Sequence, residues 1–255
     1  MTESTGGLIK MKYNVGYATD IGLKRKQNQD SGGAFPELGL FLVSDGMGGH
    51  RGGEIASSMA VQVIHTFTAN AIQKNEWEPK NVLKEAIQAA NQAIFEQAQT
   101  QPELQGMGTT TTALLIKNDQ IAIGHAGDSR CYFFRPNALW QTTRDHSLVQ
   151  DKLKAGLITR KELKTDRMKN VITRSVGFEK ILNLDLYQMN IEKNDCYLLC
   201  SDGLSSLIED SKILQIVQKN LFDHQSIQQA ADELIAAANS NGGDDNITVL
   251  LLQVS

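Results

Sequence analysis

At 255 residues the chain is long enough for one large core or two modest ones. Its 41% hydrophobic and 21% charged content is that of an ordinary globular protein. A net charge of −4, with no basic run or stripe to offset it, argues against a binder of duplex nucleic acid.

No run approaches the ~18 apolar residues of a spanning helix, which predicts a cytoplasmic protein with no membrane partner. Four prolines and no low-complexity segment leave no interdomain linker. Residues 1–12 read as a flexible, polar lead-in, and residues 13–255 as a single domain. Cys131, Cys196 and Cys200 all fall in apolar strand-like runs, so they read as buried core thiols rather than metal ligands.

In chain order, Tyr13 to Thr19 reads as a strand, followed by a loop from Asp20 to Asp30. Lys24, Arg25 and Lys26 stand there beside Gln27, Asn28, Gln29 and Asp30, which is either a solvated basic turn or an arginine fork set to meet an anion. The apolar run Leu40 to Ser44 then stops at Asp45, and Gly46-Met47-Gly48-Gly49-His50 follows at once. The next segment, Ile55 to about Ile72, repeats Ile55, Met59, Val63 and Phe67 at helical spacing. Strand, tight glycine loop, helix is the plain reading. A dinucleotide fingerprint is weakened because Arg51 occupies the third glycine position. The remaining alternatives are a sharp turn with a solvated aspartate and a carboxylate placed for a metal ion or phosphate.

A second helix is expected from near Pro79 or Asn81, with Val82, Ala86, Ala89, Ala90, Ala93 and Ile94 on one face. The period then changes to that of strands. Thr109 to Ile116, Ile121 to Ala126, Arg130 to Arg135 and Leu139 to Thr142 are joined by short turns, one of which carries Asp128, and this predicts an antiparallel meander. From about 145 to 180 the charge rises and the pattern breaks into short helical pieces, Leu148 to Ala155 and Lys161 to Leu163, which reads as an inserted flap. Strands return at Leu182 to Met189 and Asp195 to Ser201. Helices follow at Ser211 to Lys219 and Ser226 to Ala238, and Ile247 to Val254 is a last strand.

Asp30, Asp45, Asp128, Asp202 and Asp245 each stand where a β segment meets a turn, and Ser-Asp-Gly ends two separate apolar strands, at Asp45 and Asp202. No Cys/His zinc pattern accompanies them. Hard carboxylate oxygens without soft ligands favour Mg²⁺ or Mn²⁺. Several such groups can hold two ions about 4 Å apart, where a water between them loses its proton more readily and attacks phosphorus. The competing reading is a set of unrelated turn aspartates.

The set resembles the metal-dependent Ser/Thr protein phosphatases of the PP2C (PPM) family in its bacterial form. The matching segments are Gly22 to Asp30, Ser44 to His50, Gly108-Thr109-Thr110, Gly127 to Arg130, Asp145-His146-Ser147, Val171 to Gly177, Ser201 to Leu204 and Gly243 to Asn246. The resemblance implies an α+β fold, a central β-sandwich of two antiparallel sheets flanked by helices on both sides, with a flap subdomain. It implies that Asp45 and the Gly46 carbonyl bridge two Mn²⁺ or Mg²⁺ ions, that Asp202 and Asp245 bind one of the pair, and that Asp30 supports the site. Asp128 would help hold a third, weaker ion, and Arg25 would grip the substrate phosphate. His50 stands three residues beyond Met47, the position of the usual acid candidate in animal members, and is the candidate proton donor. The implied substrates are phosphoserine and phosphothreonine proteins, and the implied partner is an opposing Ser/Thr kinase; a self-contained domain with no extra segment suggests a monomer. Rival readings are a non-catalytic phosphoprotein-binding relative and a hydrolase of small phosphoesters. Thr165 to Lys169 stands where bacterial relatives often carry His-Pro before the segment leading to Asn170-Val171-Ile172-Thr173-Arg174, which bears on substrate preference.

Overall fold

The structure, a computed structural model, describes residues 12–48, 51–74, 76–163, 165–223 and 226–255. Two antiparallel sheets lie face to face. One contains β1 (Tyr13–Asp20), β11 (Ile247–Val254), β10 (Cys196–Cys200), β7 (Arg130–Arg135) and β8 (Ala138–Gln141), in that order. The other runs β2 (Asp30–Phe35), β3 (Leu40–Met47), β5 (Thr111–Lys117), β6 (Gln120–Ala126) and β9 (Asp185–Asn190), with the short β4 (Gly108–Thr109) paired to β3.

Both faces of each sheet are covered, which is why β3, β5, β10 and β11 read as continuous apolar runs rather than alternating ones. Phe41, Val43, Leu114 and Ile123 point between the sheets and meet Cys131, Tyr197, Leu199 and Leu250 from the other layer. Their neighbours Leu40, Leu42, Ala113 and Leu115 face outward and pack under α1 (Gly52–Ala71) and α2 (Pro79–Thr100). On the opposite surface, Leu198, Cys200, Val249 and Leu251 pack under α4 (Asp202–Ser205), α5 (Asp210–Gln218) and α6 (Ile227–Ser240). Each fully buried leucine contributes about 1.5–3 kcal/mol, so the four layers hold together through three stacked apolar interfaces. All three cysteines are buried and free.

The sequence expectation differs from the structure in four places. The face of α1 pressed on the sheet is Gly52, Gly53, Ala56, Ser57, Ala60, Ile64 and Thr68, while Ile55, Met59, Val63 and Phe67 flank it half-buried. Small residues let the helix axis approach closely, and the large ones straddle the contact. Second, β2 has no counterpart in the sequence expectation, where only Asp30 of it falls, at the end of a loop; its sequence Asp-Ser-Gly-Gly-Ala-Phe has no apolar alternation, yet it pairs along its whole length with β3. Third, Lys161 to Leu163 is a turn, whereas the other flap helix is present as α3 (Leu148–Lys154). Fourth, the strand expected from Leu182 starts only at Asp185.

The flap leaves after β8 and returns at β9. Its base is closed by pairing between Ser147 and Ile172, and Val176 pairs with Thr109 of β4.

Candidate active site

Strand polarity explains how five aspartates far apart in sequence come to one rim. Asp30 opens β2 and Asp45 sits near the end of β3, its direct partner in the pairing register. Asp128 lies between the end of β6 and the start of β7, Asp202 follows the end of β10, and Asp245 precedes the start of β11. In antiparallel sheets these are all the same end of the sandwich, reached from both layers.

The backbone at this rim tolerates no side chain at two points. A Cβ on Gly46 would stand 2.0 Å from the Gly53 carbonyl oxygen, because the start of α1 crosses directly over β3. A Cβ on Gly203 would stand 2.0 Å from the Asn246 carbonyl oxygen. The Asp-Gly pairs are therefore packing requirements as well as turn signals.

Hydrogen bonds fix each carboxylate's support. The Asp45 N–H donates to Thr110 Oγ1 at 2.8 Å, and Thr109 Oγ1 donates to the Asp45 carbonyl at 2.8 Å. Ser201 Oγ donates to Asp30 Oδ2 at 2.7 Å while accepting from the Thr248 N–H at 2.9 Å. Asn246, 5% exposed, ties the basic loop to β11. Its Oδ1 accepts from the Gln29 N–H at 2.8 Å, and its Nδ2 donates to the carbonyls of Ile21 and Gln27, each at 2.9 Å. Arg25 Nη2 lies 2.5 Å from Asp245 Oδ2, and Lys24 Nζ 2.5 Å from Asp244 Oδ1, so consecutive cations meet consecutive carboxylates at the rim.

The electrostatics are those of acids held together against repulsion. Burial pushes the Asp30 carboxyl up to about 7, against hydrogen bonds from Ser201 and Thr248, with the charges of Asp202 and Asp245 adding to the rise. Asp45 is raised well above the usual carboxylate range by burial first, then by Asp30, Asp202, Asp128 and Asp245. Asp202 rises to about 6 through burial and Asp245, and Asp128 rises through burial, Asp202 and Asp145. Asp30, Asp45, Asp128 and Asp202 are each raised in part by the charge of another aspartate of the set, so the carboxylates lie close together.

The donor set fits divalent cations. Among the described residues, six buried side-chain oxygens or nitrogens lack a partner, and three of them are Asp30 Oδ1, Asp128 Oδ1 and Asp202 Oδ1. Buried anionic oxygens without a donor are costly unless a cation meets them. Among the described residues no three Asp, Glu, His or Cys side chains form a ready cage for one ion. An arrangement with few protein ligands per ion suits Mg²⁺ and Mn²⁺, which keep several waters.

Of the sequence candidates, Arg25, Asp30, Asp45, Gly46, Asp128, Asp202 and Asp245 all lie at this rim, with Asp128 and Asp202 opening onto a cleft of 460 Å³ beneath the flap. His50 lies outside the described residues. His125 is a satisfied core residue, with Thr112 Oγ1 at 2.9 Å from Nδ1 and the Arg144 carbonyl at 3.0 Å from Nε2. Sequence reasoning missed Ser201, Thr110 and Asn246 as supports. The repeated Ser-Asp-Gly was the available signal for Ser201, since the hydroxyl before each aspartate meets the neighbouring strand, Ser44 Oγ at Thr111 of β5 and Ser201 Oγ at the Thr248 N–H of β11.

This fold and rim define a sandwich-type, carboxylate-based phosphohydrolase. A family model described as Protein phosphatase 2C matches residues 18–247, and the chain belongs to that family. It is 36% identical over 246 residues to the serine/threonine phosphatase stp of Listeria welshimeri, covering 93% of this chain and 94% of the relative. Among solved structures it superposes on the Mycobacterium tuberculosis serine/threonine phosphatase PstP/Ppp with a TM-score of 0.86 and 33% identity, covering 94% of this chain and 98% of that one. The PstP catalytic domain in complex with two manganese ions matches with a TM-score of 0.84 and 33% identity, covering 96% and 99%.

Proposed function

We propose that this phosphatase hydrolyses phosphoserine and phosphothreonine in proteins at a Mn²⁺/Mg²⁺ centre held by Asp45, the Gly46 carbonyl, Asp202 and Asp245. Asp30 supports the centre from behind, and Asp128 serves a further, weaker ion. The observation that carries this reading is the set of buried carboxylate oxygens without a donor, gathered from both sheets at one rim. Divalent ions held there would supply a water acidic enough to act as nucleophile near neutral pH, and positive charge to offset the negative charge of the transition state.

The chain's own residues do the positioning. Thr109, Thr110 and the Gly46–Gly53 contact hold Asp45 on rigid strand backbone. Ser201 donates to one oxygen of Asp30, and the other is buried without a donor. Arg25, half exposed and anchored through one nitrogen to Asp245, keeps further N–H groups for a phosphate that arrives from solvent. Asn246 keeps the loop carrying that arginine against β11.

We read residues 13–255 as one catalytic unit with a flap at about 145–180, because both sheets contribute to a single rim. We also read the protein as a cytoplasmic monomer that opposes a Ser/Thr kinase. No described helix is long and apolar enough to cross a membrane.

The test is the initial rate of phosphate release from a phosphothreonine peptide with Mn²⁺, with Mg²⁺ and after EDTA, beside Asp202→Asn. Metal-dependent release that the variant loses supports the reading. A folded protein inactive with either ion, yet retaining phosphopeptide affinity, contradicts it.

A further inference from the structure

The turn that carries Asp128 is fastened from outside the site by residues that the reaction above does not use. Gly127 makes two hydrogen bonds to a single residue. The His146 N–H donates to the Gly127 carbonyl at 2.7 Å, and the Gly127 N–H donates to His146 Nδ1 at 3.2 Å. A backbone amide can only donate, so Nδ1 is an acceptor and the proton of the neutral ring sits on Nε2. Nε2 lies 3.2 Å from Asp185 Oδ2, the acceptor that this tautomer needs. Arg174 Nη1 is also 3.2 Å from Nε2, but two donors do not bond; it donates instead to Asp185 Oδ1 at 2.8 Å. One carboxylate therefore holds both the ring and the guanidinium. His146 is buried and packs against His125 with ring centres 4.7 Å apart, and burial lowers the basicity of both rings, His125 to about 4.

These residues occupy the base of the flap. His146 stands at its entrance and Arg174 at its exit, joined by the Thr173 N–H donating to the His146 carbonyl at 2.8 Å. The residue before His146 fastens the other side of the same turn: Asp145 receives Arg130 Nε at 2.9 Å and Nη2 at 2.7 Å. On the inner side, Gly127 has φ +114°, and a Cβ there would lie 2.5 Å from Thr110 Cγ2, the threonine that also receives the Asp45 N–H. The Asp128 turn is thus clamped between the Asp45 strand and two consecutive flap residues.

We propose that His146 is a positioning residue for Asp128, its ring fixed in the Nε2–H tautomer by Asp185, so that seating the flap base and placing the Asp128 carboxylate are one event. The inference rests on the reading of Asp128 as an ion-binding carboxylate.

Asp185→Asn tests it with little change of shape. The new amide can donate to Nε2, which moves the ring proton to Nδ1, where it confronts the Gly127 N–H. His146→Asn sets an amide oxygen near the place of Nδ1 and keeps an acceptor for Gly127 without needing Asp185. Three readouts are taken on the full chain: Mn²⁺ binding by calorimetry, the His146 tautomer by ¹⁵N NMR, and phosphothreonine-peptide kinetics. The expected result is an Nε2–H ring in the wild type and an Nδ1–H ring in Asp185→Asn. The weakest Mn²⁺ site weakens about tenfold, the size usual when a carboxylate behind a ligand-bearing element is lost. kcat falls while KM stays within about twofold, and His146→Asn binds Mn²⁺ nearly as the wild type does.

Asp128→Asn separates the two ways of failing. If it loses the weakest ion while Asp185→Asn shifts the tautomer without changing the isotherm, the positioning role is wrong and the Asp128 reading stands. If Asp128→Asn keeps every ion, the Asp128 reading itself falls, and the inference with it. Should Asp185→Asn not fold, His146→Leu compared with His146→Asn poses the same question, and equal isotherms for the two overturn the proposal.

Discussion

Asp30 and Asp45 stand directly opposite each other as cross-strand partners of β2 and β3. Like charges in that relation repel, and both carboxyls are raised by burial and by neighbouring carboxylates. The protein keeps this repulsion at the rim where its chemistry belongs, so stability and function pull against each other there.

The first consequence concerns pH. Asp30 rises to about 7 and Asp202 to about 6 in the folded chain, against about 3.9 for an unfolded aspartate. Between those values the folded chain holds protons that the unfolded chain has released, so stability falls as pH rises from about 4 to about 7. The metal-free protein is therefore expected to melt at a higher temperature at pH 5.5 than at pH 7.5, by thermal denaturation in EDTA. Saturating Mn²⁺ should raise the melting temperature most at the higher pH, because the ion needs the deprotonated groups.

Asp45→Asn removes one of the opposed charges. The metal-free variant should melt above the wild type, while turnover of a phosphothreonine peptide drops by more than about a hundredfold, the order expected when a preorganised electrostatic group is lost at a reacting centre. Calorimetry and steady-state rates on the same preparation check both halves. A variant equally active would remove Asp45 from the mechanism.

Gly46→Ala probes the close approach of α1 to β3. With a methyl 2.0 Å from the Gly53 oxygen, strand or helix must shift. A loss of about 1–3 kcal/mol in urea unfolding is expected from the overpacking, together with weaker Mn²⁺ binding as the Gly46 carbonyl moves. Gly106→Ala is the control for space, since nothing lies within 4 Å of its added Cβ; its positive φ of +78° still adds some backbone strain.

Arg25→Lys keeps the charge but loses the planar fork, and is expected to raise KM for a phosphopeptide several-fold with a smaller change in kcat. Asn246→Ala releases the loop that carries Arg25 and should raise KM in the same way, at a stability cost of about 1–3 kcal/mol for the buried groups left unpaired. Parallel KM shifts in the two variants would tie Asn246 to arginine placement. A KM unchanged in Arg25→Lys would detach Arg25 from the phosphate.

Much of this was legible in the sequence. The strands that end at Asp45 and Asp202 announce themselves because both faces are buried and Leu40 to Val43 and Cys196 to Cys200 are apolar runs, and the final strand has the expected bounds of Ile247 to Val254. Asp45 and Asp202 are legible because each ends such a run at a turn, and Asp245 because it stands just before one. What stayed hidden depends on partners that no local pattern encodes. β2 is a strand only because β3 lies beside it. The inner face of α1 is made of small residues because the sheet lies so close beneath it, so the larger apolar stripe pointed to its flanks. Ser201 and Asn246 act on residues about 170 and 220 positions away in the chain, and only the folded arrangement brings those groups into contact.

The most direct measurement of the central claim is an anomalous difference map from crystals of the full chain grown with Mn²⁺. Two strong peaks are expected within ligand distance of Asp45, with Asp202 and Asp245 on one of them, and a weaker peak beside Asp128. Manganese absent from this rim in crystals of active protein, or bound only elsewhere, would contradict it.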